Sequence, residues 1–347
     1  MKKIISIIGA RPQFIKHAPI ELASKGILDM VTVHTGQHYD HKMSQIFFEE
    51  LKISTPKYNL QAGSGTHGVQ TGKMLIDLEP ILIKEKPDAV LVFGDTNSTL
   101  AGALCASKLH IPVIHVEAGL RSFNREMPEE INRVLTDHVS SLLFVPTKTG
   151  IENLKNEGIT KNVILIGDVM YDMIKVAEAK GILTKDEDYG QFYYATIHRP
   201  YNTDKVERIG SLLNVFNSLP LKVKFSIHPR TFKIISSNFN VADFPNIEFL
   251  EPLSYFDSIK TIFNSSLVIT DSGGLQKEAY MMKKKCITVR TETEWVETLQ
   301  NNWNNLVFDD LSQIIELISQ PTGPYIEGLY GAGDASAQIV QEIDKLI

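Results

Sequence analysis

The chain has 347 residues, of which 43% are hydrophobic and 22% are charged, and its formal net charge is −6. This length accommodates two domains, and the composition is typical of a globular enzyme rather than a disordered or fibrous chain. The negative charge argues against general nucleic-acid binding, which depends on a basic surface that neutralises phosphates.

The cysteines and the N-terminal sequence indicate the cellular compartment of the protein. Cys105 and Cys286 are far apart and lie in apolar surroundings, so we expect small buried side chains in a reducing compartment. The apolar run Ile4–Ile8 is too short for a signal peptide, and no other stretch has the length needed to span a bilayer. We therefore expect a cytoplasmic protein that does not enter a membrane.

Strand-like apolar runs alternate with helical patterns from the N-terminus onward. In the first half we predict strands Lys3–Ile8, Met30–His34, Ala89–Phe93, Val113–Glu117, Leu142–Val145 and Val163–Gly167, and helices Phe14–Lys25, Lys42–Leu51, Thr71–Glu85, Thr99–Leu109 and Glu129–Val139. Alternation of this kind predicts parallel strands joined by right-handed helical crossovers.

The pattern restarts after residue 167. In the second half we predict strands Tyr193–Ile197, Val223–Ile227, Ile247–Leu250, Leu267–Thr270 and Cys286–Val289, and helices Val206–Ser218, Tyr255–Asn264, Leu275–Met282 and Gln338–Leu346. This predicts two α/β domains: residues 1–167, completed by a C-terminal helix within 334–347, and residues 168–333. Ligands bind beyond the carboxyl ends of such strands, so we expect a central cleft between two facing domains.

A glycine turn follows the predicted strand Leu267–Thr270 and opens a helix. A helix N-terminus offers unpaired backbone N–H groups and a positive dipole, and glycines let a diphosphate approach closely. Ser272, Gly273 and Gly274 therefore predict a diphosphate site, and Glu278, one turn later, could accept hydrogen bonds from a ribose. Glycine pairs also serve merely to turn the chain, so the motif alone leaves both interpretations open.

Three carboxylates follow predicted strands or open a predicted helix. Asp95 can either cap the next helix or act as a carboxylate in the cleft, and Glu129 suits a helix N-terminus whatever its function. Capping does not explain Glu117. As a group they suit proton abstraction at a carbon centre, assisted by a second acid.

Cations and a histidine lie at other predicted strand ends. Arg11 and Lys16 follow the first strand, where they could bind a diphosphate or lie on a solvated surface. His198, with Arg199 beside it, suits contact with a phosphate, acid catalysis or a structural role. No His-x-x-x-His or paired-cysteine spacing predicts a metal site.

Seven motifs occur together and in order along essentially the whole chain. They are Gly-Ala-Arg-Pro at 9–12, Thr-Gly-Gln-His at 35–38, Gly-Asp-Thr at 94–96, His-Val-Glu-Ala-Gly-Leu-Arg at 115–121, Pro-Glu-Glu-x-Asn-Arg at 128–133, His-Arg at 198–199 and Asp-Ser-Gly-Gly-x-Gln-x-Glu at 271–278. As a set they resemble the non-hydrolysing UDP-N-acetylglucosamine 2-epimerase family. The resemblance implies an α/β fold of two Rossmann-like domains of the glycosyltransferase-B type, with UDP held mainly by the second.

The resemblance also implies a function. It implies an isomerase that inverts C2 of a UDP-2-acetamido sugar, UDP-GlcNAc to UDP-ManNAc, by anti elimination of UDP and re-addition through a 2-acetamidoglucal. It implies no redox cofactor and no metal, and it suggests a cytoplasmic homodimer in polysaccharide biosynthesis. A glycosyltransferase of the same fold and a non-catalytic nucleotide-sugar binder are the alternatives, because fold alone does not fix function.

Individual positions match the motifs of that family. Asp95, Glu117 and Glu129 match its acid/base carboxylates, and His198 matches a histidine on the diphosphate side. The positions that match substrate-binding or UDP-binding residues are Arg11, Lys16, Arg133, Arg199, Ser272, Gly273, Gly274 and Glu278.

Departures from the family pattern concern the sugar. Gln13 replaces a more usual glutamate and Trp295 replaces an arginine; with Arg290 they are the candidates for sugar specificity. These departures resemble a subgroup that acts on UDP-2,3-diacetamido-2,3-dideoxyglucuronic acid. The carboxylate of that sugar would require a further cation, for which Arg290, Arg199 and Lys16 are candidates.

Overall fold

The computed structural model describes residues 1–37, 53–186 and 190–347. The predicted helix Lys42–Leu51 and His38 of the Thr-Gly-Gln-His motif lie outside these residues. The described chain forms two compact units, residues 1–175 with 328–347, and residues 176–327. Each unit is built on its own sheet of parallel strands, which confirms the fold class that the alternating pattern predicts.

The first unit contains a seven-stranded sheet in the order β3-β2-β1-β4-β5-β6-β7. Its strands are β1 (Lys2–Ile8), β2 (Leu28–His34), β3 (Tyr58–Asn59), β4 (Ala89–Phe93), β5 (Val113–Val116), β6 (Leu142–Val145) and β7 (Val163–Leu165). The helices along this part of the chain are α1 (Arg11–Ser24), α2 (His67–Glu85), α3 (Asn97–Lys108), α4 (Pro128–Val139), α5 (Lys148–Asn156) and α6 (Val169–Ala179).

The second unit contains a six-stranded sheet in the order β10-β9-β8-β11-β12-β13. Its strands are β8 (Phe192–Thr196), β9 (Lys222–Ser226), β10 (Ile247–Leu250), β11 (Leu267–Thr270), β12 (Cys286–Thr288) and β13 (Asn304–Leu306). The helices are α7 (Pro200–Thr203), α8 (Val206–Ser218), α9 (Pro229–Asn238), α10 (Tyr255–Asn264), α11 (Gly273–Met281) and α12 (Gln313–Leu317), with 3₁₀ segments Val241–Asp243 and Val296–Asn302.

The strand order reverses once in each sheet. The reversal lies between β1 and β4 in the first sheet, and between β8 and β11 in the second. In doubly wound folds, ligands bind beyond the carboxyl ends of the strands at this reversal. The loops after these four strands are therefore where each unit is best placed to bind a ligand.

The central strands are buried on both faces. All five residues of β4 have no exposed surface, and the same holds for Ile4, Ile5, Ile7 and Ile8 of β1. Helices cover both faces of such a sheet, so its strands read as continuous apolar runs rather than as alternating ones. Such runs made the central strands recognisable in the sequence.

The C-terminal helix α13 (Ala335–Leu346) belongs to the first unit and packs against α1. The carboxylate of Asp172 on α6 accepts hydrogen bonds from the backbone nitrogens of Ala335 (3.1 Å) and Ser336 (2.6 Å). A carboxylate at a helix N-terminus satisfies backbone donors that have no partner within the helix. Asp172 thereby fixes the start of α13.

Some short elements were not predicted. Helix α5 begins after Thr147, whose hydroxyl accepts a hydrogen bond from the backbone nitrogen of Gly150 at 3.2 Å. Helix α9 begins with Pro229, and His228 caps it by accepting from the backbone nitrogen of Arg230 at 3.2 Å. Proline in the first turn suits a helix because that backbone nitrogen needs no partner. His228 is thus a capping residue.

Candidate functional site

Gln13 joins the loop after β1 to the end of β4. Its Oε1 accepts hydrogen bonds from the backbone nitrogens of Gly9 (2.7 Å) and Ala10 (3.1 Å). Its Nε2 donates to the carbonyl of Phe93 and to Oγ1 of Thr99, both at 3.0 Å. A carboxylate could not donate to that carbonyl, which is a physical reason for glutamine here. Both ends of the buried amide are hydrogen-bonded within the protein. That Gln13 contributes to sugar specificity stays a prediction.

Glu117 directly follows β5, and its φ of 72° lies in the left-handed region. Its carboxylate forms an ion pair with Nζ of Lys16 from α1, and these side chains are only 7% and 9% exposed. A Cβ added to Gly94 would stand 3.0 Å from Lys16 Nζ and 3.3 Å from Glu117 Oε1. The chain segments after β1, β4 and β5 therefore meet around one buried ion pair.

Asp95 follows β4, and its Oδ2 lies 2.5 Å from a terminal nitrogen of Arg133. Its backbone carbonyl accepts a hydrogen bond from Nδ2 of Asn132 at 2.9 Å. The residue that caps α3 is Thr96, whose hydroxyl accepts from the backbone nitrogen of Thr99 at 3.3 Å. Of the two roles left open for Asp95, the structure favours a partly exposed carboxylate held by an arginine.

The first turn of α4 carries two glutamates with different surroundings. The carboxylate of Glu130 accepts from the backbone nitrogens of Ser122 and Phe123, both at 2.9 Å, and from Arg133 at 2.8 Å. Burial raises the pKa of Glu130, but these hydrogen bonds outweigh it and the pKa is lowered. Glu129 is half-buried and makes no ion pair or side-chain hydrogen bond with another described residue. It shares a helix face with Arg133, one turn away.

Asp137 of α4 has a fully buried carboxylate. Its Oδ1 lies 2.7 Å from Nδ1 of His115, and its Oδ2 lies 2.7 Å from a terminal nitrogen of Arg121. Oδ2 also accepts from the backbone nitrogen of Gly119 at 3.1 Å. Burial raises the pKa of Asp137, but the hydrogen bonds and charges of His115 and Arg121 outweigh it and the pKa is lowered. The ionised carboxylate fixes the backbone just beyond Glu117.

Asp271, at the end of β11, holds His198 in the second unit. Its fully buried carboxylate accepts from the backbone nitrogens of His198 (3.1 Å) and Arg199 (2.9 Å) and from Nδ2 of Asn202 (3.0 Å). Its Oδ1 is also 3.0 Å from Nδ1 of His198, whose side chain is 50% exposed. Burial raises the pKa of Asp271, but these groups outweigh it and the pKa is lowered. His198 is thus held at its backbone and Nδ1 with its ring half exposed.

The N-terminus of α11 lies against a carboxylate of the same unit. A Cβ added to Gly273 would stand 2.5 Å from Oε1 of Glu294, and Oε2 of Glu294 lies 2.9 Å from a terminal nitrogen of Arg290. Ser272, the residue before the helix, donates from its backbone nitrogen to Thr270 Oγ1 at 3.0 Å. The absence of a Cβ at Gly273 is what allows the anion to approach this helix end, where the dipole favours negative charge.

The second turn of α11 is buried. Lys277 is 1% exposed and its Nζ lies 4.0 Å from the centre of the Trp295 ring, a cation–π contact. Trp295 is 3% exposed and Glu278 is also 3% exposed. Glu278 therefore lies deep behind the glycine turn, whereas Gly274 is partly exposed.

Within residues 1–37, 53–186 and 190–347 there is no group of three or more His, Cys, Asp or Glu side chains arranged to hold a metal ion. Within the same residues, no helix combines the length and apolar character that crossing a bilayer requires.

Comparison with known proteins decides the family. A model of the family described as UDP-N-acetylglucosamine 2-epimerase matches residues 20–344. The chain is 48% identical to a UDP-N-acetylglucosamine 2-epimerase homolog of Methanococcus maripaludis, over 99% of this chain and 100% of the relative. It belongs to the UDP-N-acetylglucosamine 2-epimerase family.

Two other members of the family are informative. A UDP-2,3-diacetamido-2,3-dideoxy-D-glucuronate 2-epimerase of Pseudomonas aeruginosa is 45% identical, over 99% of this chain and 100% of the relative. The crystal structure of Methanocaldococcus jannaschii UDP-GlcNAc 2-epimerase in complex with UDP-GlcNAc and UDP has a TM-score of 0.88 and 43% identity, covering 99% of both chains. The resemblance read from the motifs is confirmed, as are a glycosyltransferase-B-like fold and an isomerase of the epimerase class.

Four acidic partners of the predicted site residues were not predicted from the sequence of this epimerase family member. Each accepts hydrogen bonds from, or pairs with, a predicted residue or the loop beside it. They are Glu130, Asp137, Asp271 and Glu294. Asp271 opens the glycine motif and Glu130 adjoins Glu129, so both were visible in the motifs. Their roles depend on contacts across the fold, which spacing does not show.

His34 is the last residue of β2 and is 2% exposed. Its Nδ1 accepts a hydrogen bond from the backbone nitrogen of Gly36 at 2.9 Å, and its ring stacks on Phe14 with centroids 5.1 Å apart. Burial lowers the pKa of His34 from 6.5 to about 4. The folded protein therefore holds His34 neutral at pH values where an unfolded chain would protonate it.

This difference predicts a loss of stability in mild acid. Because the folded pKa is the lower one, protonation favours unfolding as pH falls from 6.5 towards 4. Between pH 7 and pH 5 the free energy of unfolding should fall by about 2 kcal/mol through this group. His34→Asn keeps an acceptor for Gly36 but does not titrate, so urea unfolding of this variant should show a smaller pH dependence. An identical slope in both proteins would contradict the assignment.

Proposed function

We propose that this family member interconverts UDP-GlcNAc and UDP-ManNAc by inverting the configuration at C2. The observation that carries the proposal is the buried Lys16–Glu117 ion pair at the strand reversal of the first sheet, with Asp95 following Gly94 beside it. Acid/base groups at such a position suit proton transfer at a carbon atom. The solved Methanocaldococcus relative is described as bound to UDP-GlcNAc and UDP, which supports the same ligand class here.

The chemistry of the sugar explains why UDP must leave. C2 of an N-acetylhexosamine carries no group that makes its hydrogen acidic, so direct deprotonation is unfavourable. In an elimination, a base takes the C2 proton while the C1–O bond breaks and its electron pair leaves with UDP. The product is a 2-acetamidoglucal. Re-addition of UDP at C1 and of a proton at the opposite face of C2 gives the epimer, with no net oxidation and hence no redox cofactor.

Inversion needs proton transfer on both faces of the sugar. One carboxylate cannot reach both faces of C2, so we assign Glu117 and Asp95 to proton transfer, with Glu129 as a third acid/base group. Lys16 forms an ion pair with Glu117 and Arg133 forms one with Asp95, so each of the two carboxylates has a cation beside it. The first unit thus supplies the groups that act on C2.

The UDP portion is assigned to the second unit. The N-terminus of α11, with Ser272, Gly273 and Gly274, offers backbone donors and a positive dipole for the diphosphate. His198 would donate from its half-exposed ring to the departing phosphate, and Arg199 would add a cation. Glu278 is proposed to bind the ribose hydroxyls, as acidic residues do in related folds. Arg11, on the first unit, is a further candidate for phosphate contact.

A second substrate is supported by one relative. The Pseudomonas enzyme, described as acting on a 2,3-diacetamido-2,3-dideoxyglucuronate sugar, is 45% identical to this chain. Its sugar carries a carboxylate that requires a cation. Lys16 pairs with Glu117 and Arg290 with Glu294, so each already neutralises an acidic side chain. For this substrate we therefore favour Arg199 over these two as the partner of the sugar carboxylate, in which case Arg199 would bind the sugar rather than the phosphate.

The two cysteines indicate the compartment in which the protein functions. Cys105 and Cys286 are both buried and free. Burial raises the pKa of Cys105 to about 11 and that of Cys286 to about 12, so both persist as thiols. Free buried thiols suit a reducing compartment, and we infer a cytoplasmic location.

We further infer a homodimer formed through α2. Val69, Ile76 and Ile83 are 69%, 73% and 56% exposed. Their spacing of two helical turns places them in one stripe about 21 Å long. The opposite face of α2 is buried in the unit through Met74 and Leu78. A helix stripe of this kind can pair with its own copy about a twofold axis.

Substitution of Ile76 should disrupt this dimer. Ile76→Lys places a charge in the centre of the stripe, so sedimentation velocity should show a monomer at concentrations where the wild-type protein is a dimer. Asn156→Lys, at the exposed end of α5, adds the same charge elsewhere and should leave the dimer intact. A dimer that survives Ile76→Lys would contradict the assigned surface.

The acid/base assignment predicts the behaviour of hydrogen at C2. In deuterated water the wild-type protein should incorporate deuterium at C2 of UDP-GlcNAc and form UDP-ManNAc with little net release of UDP. Glu117→Gln and Asp95→Asn should each slow this exchange about 100-fold to 10,000-fold, because they remove a positioned acid/base group. Their affinity for UDP should change little. Glu126→Gln, on an exposed loop residue, is the control.

The same measurement separates the alternatives. A glycosyltransferase would leave C2 unlabelled and pass the sugar to an acceptor, and a binding protein would bind UDP without turnover. If Glu117→Gln exchanged hydrogen at C2 at the wild-type rate, the assignment of Glu117 to proton transfer would be refuted. Running the diacetamido-glucuronate sugar beside UDP-GlcNAc, with C2 exchange read by NMR, identifies the preferred substrate.

A further inference from the structure

His115 lies on β5, two residues before Glu117, and its ring is completely buried. Nδ1 lies 2.7 Å from Oδ1 of Asp137, and Nε2 lies 2.8 Å from the backbone carbonyl oxygen of Gly94. Both partners accept hydrogen bonds, because a carbonyl cannot donate and Asp137 is held as a carboxylate. The two ring nitrogens therefore each face an acceptor.

These two hydrogen bonds reach two different loops. Gly94 immediately precedes Asp95. Asp137 also accepts from the backbone nitrogen of Gly119 at 3.1 Å, two residues beyond Glu117. One buried side-chain pair thus ties the loop that carries Asp95 to the loop that carries Glu117.

The conformation of both loops makes such a tie necessary. Gly94, Glu117 and Gly119 have φ values of 59°, 72° and 80°. For a residue with a side chain, such as Glu117, this backbone region is strained and persists only where surrounding contacts enforce it. Gly94 also packs on the Lys16–Glu117 ion pair. Any shift of the Gly94 peptide would therefore move the surface against which the Glu117 carboxylate rests.

Asp137, which contacts the His115 ring, is itself held in place by Arg121. Arg121 donates to Asp137 from one terminal nitrogen, and its Nε and other terminal nitrogen donate to the two carboxylate oxygens of Glu157, both at 2.7 Å. Charges alternate along the series Asp137, Arg121 and Glu157, so the buried Asp137 and Arg121 each have a partner of opposite sign.

We propose that His115 is a positioning residue that sets the separation of the Asp95 and Glu117 carboxylates. This inference rests on the proposed acid/base roles of those two residues. His115 is completely buried, so it acts through Gly94 rather than on the substrate. The hydrogen bond to Gly94 transmits the effect, and the contact with Asp137 holds the ring in place.

Two substitutions separate these contacts. The amide nitrogen of glutamine reaches the position of Nε2, so His115→Gln keeps a donor for Gly94. The amide nitrogen of asparagine reaches the position of Nδ1, so His115→Asn keeps a donor for Asp137 and loses the one for Gly94. For each variant, kcat and KM of epimerisation, UDP affinity by calorimetry and the urea unfolding midpoint should be measured.

We expect kcat of His115→Asn to fall about 100-fold, because misplacing reacting groups by about 1 Å has an effect of this order. His115→Gln should keep kcat within about 10-fold of the wild-type value, because it retains the hydrogen bond to Gly94. KM and the affinity for UDP should be nearly unchanged in both variants, because neither substitution touches the groups proposed to hold UDP.

Two results would overturn the proposal. One is an equal loss of kcat in both variants. The other is a loss in His115→Asn that is fully explained by the fraction of protein unfolded at the assay temperature, which would show a purely structural role. Absence of C2 exchange in the wild-type protein would overturn the proposed function itself and, with it, this inference.

Discussion

The geometry of the first unit depends on the buried carboxylate of Asp137. Removing a charge from water costs several kcal/mol unless opposite charges and hydrogen-bond donors replace the water. His115, Arg121 and the backbone of Gly119 provide this replacement. The same contacts fix β5 and the turn that follows it. Glu117 lies between these fixed points, which is why it can hold a left-handed backbone and a buried ion pair together.

The six strands of the second sheet have the order of the first six strands of the first sheet, but the two sheets offer different chemistry at the strand reversal. In the first sheet the loops bring carboxylates and cations together, with Lys16 against Glu117 and Arg133 against Asp95. In the second, the reversal carries a helix N-terminus and a histidine held by Asp271. Carboxylates suit proton transfer, and a helix N-terminus suits an anion. In the proposed reaction the first unit therefore acts on the sugar and the second unit binds UDP, although both units have the same architecture.

The sequence predicted whatever depends on local pattern. Ala89–Phe93 and Tyr255–Asn264 have the predicted bounds because a continuous apolar run and an amphipathic period specify them. Helix α5 was missed because its nine residues bury only Gly150 and Leu154, so a single apolar side chain marks its buried face. The site was predicted as a set of strand-end residues, but not as pairs. That Lys16 meets Glu117, 101 residues later, follows from sheet order, which spacing does not encode.

The central claim is that the bond between C1 of the sugar and UDP breaks and re-forms during each inversion. It is tested most directly with UDP-GlcNAc that carries oxygen-18 only in the bridge between C1 and the β-phosphorus. If UDP departs and returns, its terminal phosphate oxygens become equivalent, and phosphorus NMR should show the label moving into non-bridging positions during turnover. Full retention of the label in the bridge, while C2 inverts, would contradict the account.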